Sequence, residues 1–484
     1  MIALVLAGLA LRLPLVGWYA CPYTDGFAIL ATGLLEPAKR LPFYPTVVEV
    51  IRLATGADGI FVGRTVSALS GALTGVPVFL LADRLAGRRA GWIAALLFLV
   101  SPLPLRWSIR VMTDVTFVLW SWLGLWWLVR AVERGDWRRA GGAIFCFGLA
   151  MLTRPEGILF APIVLLLLLG LAWRSWASSL KATFGLLPWV LWGLWVRRLP
   201  EDTAYGSVAR QNLERLGLDH LDHVASFLGG YELAMLHALT PPVVVLAALG
   251  IHVLIRSDPE ENRRARRVAL AAFAYLALGC WAIACIHTHF STRHLLYFVP
   301  MVPILAAAGF ERVRRRRPRM AATAVATATV WSVALSIVAL QASQDAFGDL
   351  ARAARASRAD GFDGRILSTH YRSRQTRYIA GGDVGQYNPQ AVRPGDRVVM
   401  NSLAVSKRGI QRQLVRLRSK FEIEVIARTH AATKPLLGDE SCDFWRRNGT
   451  IEHAMGHWFR EHRYESVVVA VGARRGSDAE HDVR

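Results

Sequence analysis

Acid is what this chain lacks most. It carries 36 Asp+Glu against 57 Lys+Arg over 484 residues, a formal net charge of +21, and charged residues make up only 19%. Soluble globular chains average about 25% charged. Cysteine is also sparse. The five, Cys21, Cys146, Cys280, Cys285 and Cys442, form no CxxC pair. That excludes a disulfide-rich secreted domain and a thiolate zinc module. Three lie in apolar runs as small hydrophobes; Cys21 and Cys442 fall on one side of the topology below, but the sequence gives no reason to pair them. RNP-type aromatics, zinc-finger spacing and a helix-turn-helix are missing too, so the basic excess does not read as nucleic-acid binding.

What fills the chain before about residue 342 is a series of long apolar runs, and 53% of all residues are hydrophobic. A transmembrane helix needs about 20 mostly apolar residues. The runs predict eleven spans, some short, near 2–18, 61–82, 91–105, 114–131, 141–153, 157–173, 183–196, 240–256, 268–286, 294–310 and 320–341. The first has no signal-peptide cleavage pattern and reads as a retained anchor. Arginine gathers in alternate connections: Arg84, Arg88 and Arg89; Arg130, Arg134, Arg138 and Arg139; Arg174 with Lys181; Arg256 and Arg263 to Arg267; Arg312 to Arg319. Short Lys/Arg-rich loops stay cytoplasmic. All five fall on one side if the N-terminus is inside and eleven spans follow. This predicts a multi-pass protein of the cell inner (plasma) membrane.

The remaining connections then lie outside. Residues 19–60 form a long first outer loop in which 27–35 and 44–53 have the apolar spacing of short interfacial helices. Residues 197–239 form a second long outer loop with His220, His223 and His237. Residues 343–484 are polar and Arg-rich. Strand-like runs at 365–369, 397–400, 421–426 and 466–471, with a helical stretch at 406–419, predict a small α/β domain outside the cytoplasm. Asn448-Gly449-Thr450 fits a glycosylation acceptor by chance composition.

Two acids stand at outer ends of spans. Asp25 follows the first span in Tyr23-Thr24-Asp25-Gly26. Asp114 opens the fourth in Arg110-Val111-Met112-Thr113-Asp114. An ionisable group at such a depth reads as functional. The plainer readings are a turn residue before Gly26 and a helix N-cap at Thr113-Asp114. Arg110, Arg154 in Thr153-Arg154-Pro155-Glu156-Gly157, and Arg293-His294 gather on the same side. Arginine forks suit phosphate, and a helix N-terminus adds its dipole; the alternative is that these arginines snorkel to headgroups. His287-x-His289 has the wrong spacing to put both rings on one face of a helix.

These stretches, in this order, resemble a known family. Asp25 with Ala28, Ala31 and Leu35 is similar to its acidic first-loop motif, although the family often has Asp-Glu where this chain has Asp25-Gly26. Pro42-Phe43-Tyr44-Pro45, Arg64 to Leu69, Ser101-Pro102 with Arg110 to Asp114, Thr153 to Gly157, and Arg293 to Pro300 follow. The first three hundred or so residues resemble the GT-C fold glycosyltransferases of the protein O-mannosyltransferase and aminoarabinose-transferase group. The resemblance implies a catalytic membrane domain over 1–342 and an enzyme that moves a sugar, with inversion, from a polyprenyl-phosphate donor to an extracytoplasmic protein, lipid or polysaccharide. It makes Asp25 the base and lets Asp114 orient the acceptor or a cation. Arg293, with His294, Arg154 and Arg110, would hold the donor phosphate, with a divalent cation as another source of positive charge. A multispan secondary transporter and a membrane assembly scaffold share the architecture; a transporter would show repeats and midplane charges, whereas the charges here cluster at the outer ends of the spans.

Overall fold

The computed structural model describes residues 1–19, 26, 29–30, 41–197, 241–256, 263–286, 292–344, 348–369, 373–402, 407–433 and 462–475. The chain divides into two compact units, one holding Met1–Gly17 with Thr32–Gln341 and the other Ala342–Leu436 with Phe459–Arg484. The second also takes in Trp18–Ala31.

The first unit is helical. It comprises α1 (Ile2–Arg12), α2 (Phe43–Thr55), α3 (Gly59–Ala86), α4 (Arg88–Leu99), α5 (Pro102–Ser108), α6 (Thr113–Arg134) and α7 (Trp137–Thr153). It continues with α8 (Ala161–Arg174), α9 (Trp176–Ala182), α10 (Leu187–Val196), α11 (Pro241–Arg256), α12 (Arg263–Ile286), α13 (Met301–Arg316) and α14 (Pro318–Ser343). The eleven apolar runs fall mainly on helix, with a turn at 298–300 inside the tenth. Among the described residues, four helices are long and apolar enough to cross a membrane, Gly59–Ala86, Thr113–Arg134, Pro155–Arg174 and Pro318–Gln341, and a fifth crossing would be α4 with α5.

Local chemistry sets the boundaries. α3 starts two residues earlier than its apolar run because Asp58 caps it, the carboxylate accepting the Phe61 amide at 3.0 Å. The 91–105 run is not one straight helix. Ser101 is extended, Pro102 begins a new helix, and α4 and α5 are bent by 59°. Proline removes an amide donor and is best suited to a first helical turn. Elsewhere the helices press close. A Cβ on Gly250 of α11 would overlap the Leu305 carbonyl, and one on Gly309 of α13 would overlap that of Leu246. In lipid, small residues are what let backbones approach.

The second unit holds a five-stranded sheet of order β2-β1-β3-β5-β4. Strands β1 (Ile366–Ser368), β2 (Val384–Gln386) and β3 (Arg397–Asn401) are parallel, while β5 (His462–Arg474) runs antiparallel to β3 and to β4 (Phe421–Thr433). Helix α15 (Gly348–Ala356) covers one face over Ile366, Val384, Val399 and Val468. α17 (Lys407–Arg418) covers the other over Val398, Met400, Val467 and Val469. The remaining helix is α16 (Ser373–Ala380). Successive strand residues face opposite ways, so a strand covered on both faces is continuously apolar, as Val467-Val468-Val469 is.

Candidate active site

The buried charges of the first unit meet where α6 begins. Met112 is extended and Asp114 is the second helical residue of α6. It is therefore not the N-cap; that position is Met112, which makes no side-chain capping bond. Asp114 still profits from the positive end of the helix dipole. It is 0% exposed, and its Oδ1 lies 2.9 Å from Arg154 Nη1. Among the described residues that ion pair is its only polar contact, and Oδ2 receives no hydrogen bond.

Arg154 is aimed by its neighbour. Pro155 disfavours helix at the residue before it, and Arg154 is accordingly extended between the end of α7 and the 3-10 turn Pro155–Phe160. Its guanidinium then grips two more groups. Nε and Nη2 donate to the two oxygens of Glu156, at 3.1 and 2.6 Å, and Nη1 donates to Thr113 Oγ1 at 3.3 Å. Burial opposes the Arg154 charge, but Asp114 and Glu156 outweigh it and hold the group firmly protonated. Gly157 is required here, because a Cβ would run into the Met151 backbone.

Tyr297 closes the chain of contacts. Its hydroxyl donates to Glu156 Oε1 at 3.3 Å, its ring packs on Phe117 at 4.8 Å, and its carbonyl accepts from Trp122 Nε1 at 2.9 Å. Phe117 and Trp122 both belong to α6. The 3-10 turn Thr292–Tyr297, which contains Arg293 and His294, is thus pinned to the helix that carries Asp114. On the other side Tyr44, at the head of α2 and 0% exposed, donates to the Gly63 carbonyl at 2.7 Å and shares a 2.8 Å bond with Ser67 Oγ. Ser67 Oγ also lies 3.3 Å from the Met112 carbonyl oxygen, against the residue before α6. Arg110 is buried with its guanidinium 4.9 Å over the Trp107 ring.

The structure therefore brings Asp114 and Arg154 together and buries Arg110 just upstream of Asp114. It describes the backbone of Arg293 and His294 but not their side chains. Asp25, His287, His289, Cys21 and Cys442 lie outside the described residues, as do most of residues 27–35 and 197–239. Among the described residues no group of three or more His, Cys, Asp or Glu side chains is placed to hold a metal ion. The site also contains residues that the sequence reading did not assign: Glu156, Tyr297, Tyr44 and Ser67. Each lies in a stretch that carries the family resemblance, but none was given a role there.

The comparisons bear on this geometry. Residues 42–195 match the family model for dolichyl-phosphate-mannose-protein mannosyltransferase, a stretch that spans Tyr44, Arg110, Asp114 and Arg154. Over 88% of this chain and 96% of the other, the structure is similar to ArnT from Cupriavidus metallidurans bound to undecaprenyl phosphate, with a TM-score of 0.61 and 15% identity. The chain has the GT-C glycosyltransferase fold. A second GT-C structure, the Archaeoglobus fulgidus oligosaccharyltransferase in complex with Zn and sulfate, covers 88% of this chain and 71% of its own at a TM-score of 0.51 and 13% identity. No curated protein matches the chain by sequence. Asp25 and Arg293 lie outside the matched family stretch, whereas the Asp114 network up to Glu156 lies within it.

Proposed function

We propose that this membrane protein is an inverting glycosyltransferase that moves a sugar from a polyprenyl-phosphate donor to an extracytoplasmic acceptor. The observation that carries the reading is Asp114: a wholly buried carboxylate, fixed by Arg154, with an oxygen that no group among the described residues meets. Buried polar atoms without partners are rare and call for a ligand or a purpose. The GT-C fold favours this over a transporter or a scaffold.

In the reaction an acceptor O–H or N–H gives its proton to a carboxylate as the heteroatom attacks the anomeric carbon. The bond from that carbon to the phosphate oxygen breaks, and polyprenyl phosphate leaves with the electron pair. We assign the base to Asp25 and the orientation of the acceptor or a cation to Asp114. Arg293, His294 and Arg110 meet the phosphate, which is acidic and needs positive charge and no proton donor. Arg154 has its nitrogens on Asp114, Glu156 and Thr113, and so in our reading it acts chiefly by keeping Asp114 charged and aimed. A divalent cation at Asp114 would need ligands beyond the described residues. The Arg-rich alternate connections support an orientation with the N-terminus in the cytoplasm and the sheet-bearing unit outside it.

Membranes carrying wild type, Asp25→Asn or Asp114→Asn are incubated with a radiolabelled polyprenyl-phosphate sugar. Each substitution keeps size and removes charge. Transfer should fall about 10²–10⁴-fold for Asp25→Asn, the usual loss for a general base, and strongly for Asp114→Asn, with donor binding retained in both. Near-normal turnover in either variant removes that residue from its role, and no transfer by wild type to any membrane or envelope fraction overturns the activity.

A further inference from the structure

We propose that an anionic phospholipid occupies a crevice at the far end of α6 from Asp114, with its acyl chain between α6, α8 and α12 and its phosphate on Arg174. This goes beyond the transfer reaction and rests on that reading only where it excludes the donor's own tail from the crevice. The crevice is a cavity of about 450 Å³, within the usual range of about 300–1,000 Å³ for a small-ligand site. Leu128 and Val132 of α6, Leu166 and Gly170 of α8, and Val268 and Ala272 of α12 form its walls. At 1.5 Å per residue, Leu128 to Gly135 stand about 20–30 Å along α6 from Asp114.

Arg174 is the one charged residue of the lining. The other large polar group, Tyr275, already donates its hydroxyl to the Leu159 carbonyl at 2.7 Å. The Arg174 guanidinium rests against Gly135, the C-cap of α6, so closely that an added Cβ would lie 2.9 Å from Nη1. Among the described residues no carboxylate pairs with it. The membrane level is marked on either side. Trp173 is 93% exposed and Trp176 80%, and tryptophan concentrates where headgroups meet the hydrocarbon. Leu165, Leu166 and Leu169 are exposed along the same helix, as suits a lipid-facing surface. Arg134, Arg264 and Arg267 are exposed nearby, in the last turn of α6 and the first turns of α12.

An apolar slot that opens at headgroup level beside a guanidinium with no carboxylate partner among the described residues fits a lipid with a negative head. Basic pockets between transmembrane helices select such lipids. The hydrocarbon tail of a polyprenyl donor would satisfy the slot but leave Arg174 without a partner, since its phosphate belongs at the other end of α6.

The test uses the full-length protein in nanodiscs of equal parts phosphatidylglycerol and phosphatidylcholine, with retained lipids counted by native mass spectrometry after detergent extraction. Wild type should keep phosphatidylglycerol at least tenfold over phosphatidylcholine. Arg174→Gln should bring the two to parity, and Arg174→Lys should keep most of the preference. A Cβ at Gly170 meets nothing within 4 Å, so Gly170→Leu should fill the slot without a clash and expel the lipid. Undecaprenyl-phosphate binding should be unchanged in all three. Equal retention of both lipids by wild type, or a preference that survives Arg174→Gln, overturns the proposal. So does loss of undecaprenyl-phosphate binding in Gly170→Leu, which would hand the slot to the donor's tail. The Gln and Lys comparison stands even if Gly170→Leu fails to fold.

Discussion

The two units bury a carboxylate in opposite ways. In the helical unit Asp114 meets a full positive charge, Arg154, which is shared with Glu156. In the sheet unit Asp349, also 0% exposed, is held by neutral donors, Asn401 Nδ2 and Ser466 Oγ, each 2.9 Å from its Oδ2. Asn401 also donates to Ser466 Oγ at 2.8 Å, which closes a triangle between α15, β3 and β5. The second arrangement ties a helix to the sheet it covers. The first sets opposite charges at the start of a long helix. Neutral donors stabilise a buried acid locally, whereas a buried ion pair stakes several kcal/mol on its geometry. A fold needs the former, and a site that must present charge to a ligand needs the latter.

That contrast breaks most sharply at Arg154. Arg154→Met strands Asp114 and Glu156 together. Removing one partner of a buried pair costs about 3–5 kcal/mol, so the melting temperature of the full-length protein in detergent should drop markedly and transfer should vanish. Arg154→Lys should restore melting in part and leave transfer low, because a point charge cannot serve both carboxylates as a fork does. If Arg154→Met melts like wild type, the pair has no structural weight.

Asp349→Ala should cost less, about 1–3 kcal/mol for the donors left unsatisfied. It should speed hydrogen exchange of the β3 and β5 amides and leave donor binding intact. Loss of donor binding would show that the sheet unit belongs to the donor site.

The smallest effect concerns Tyr387, whose hydroxyl donates to Gln413 Oε1 at 3.1 Å and whose phenol burial pushes up to about 12. The unfolded phenol ionises near 10. A raised value favours the protonated, folded form, so this contribution is complete below about pH 10 and is lost as pH rises toward 12. In Tyr387→Phe, exchange of the β2 amides should lose part of its alkaline sensitivity; an unchanged alkaline profile would remove Tyr387 from the account.

Much of the architecture was legible because it rests on local signals. Apolar runs mark most helices of the bundle, though not α9 in the basic connection around Lys181, and strand-like runs at 365–369, 397–400, 421–426 and 466–471 lie on β1, β3, β4 and β5. What escaped depends on distant contacts. The short β2 has a weak pattern and is held by pairing to β1. The break at Ser101-Pro102 shows in the residues, but hydropathy alone runs straight through it. At the site, position along the chain was enough to single out Asp114 and Arg154 but not to match them. Arg154 was expected at the donor phosphate, whereas its observed partners are Asp114, forty positions earlier, and Glu156. Tyr297 reaches Glu156 across 141 positions, a separation over which no periodicity speaks.

The reciprocal contact of Gly250 and Gly309 has a consequence for variation in this protein. Each glycine faces the carbonyl of the other helix, so neither can change first and wait for the other to compensate. Among random variants of the chain, these two positions should be nearly frozen even against alanine, while Val245 and Ile251 on the exposed side of the same helix drift freely among apolar residues. A map of tolerated substitutions would then show two empty columns that owe nothing to chemistry and everything to the spacing of two backbones.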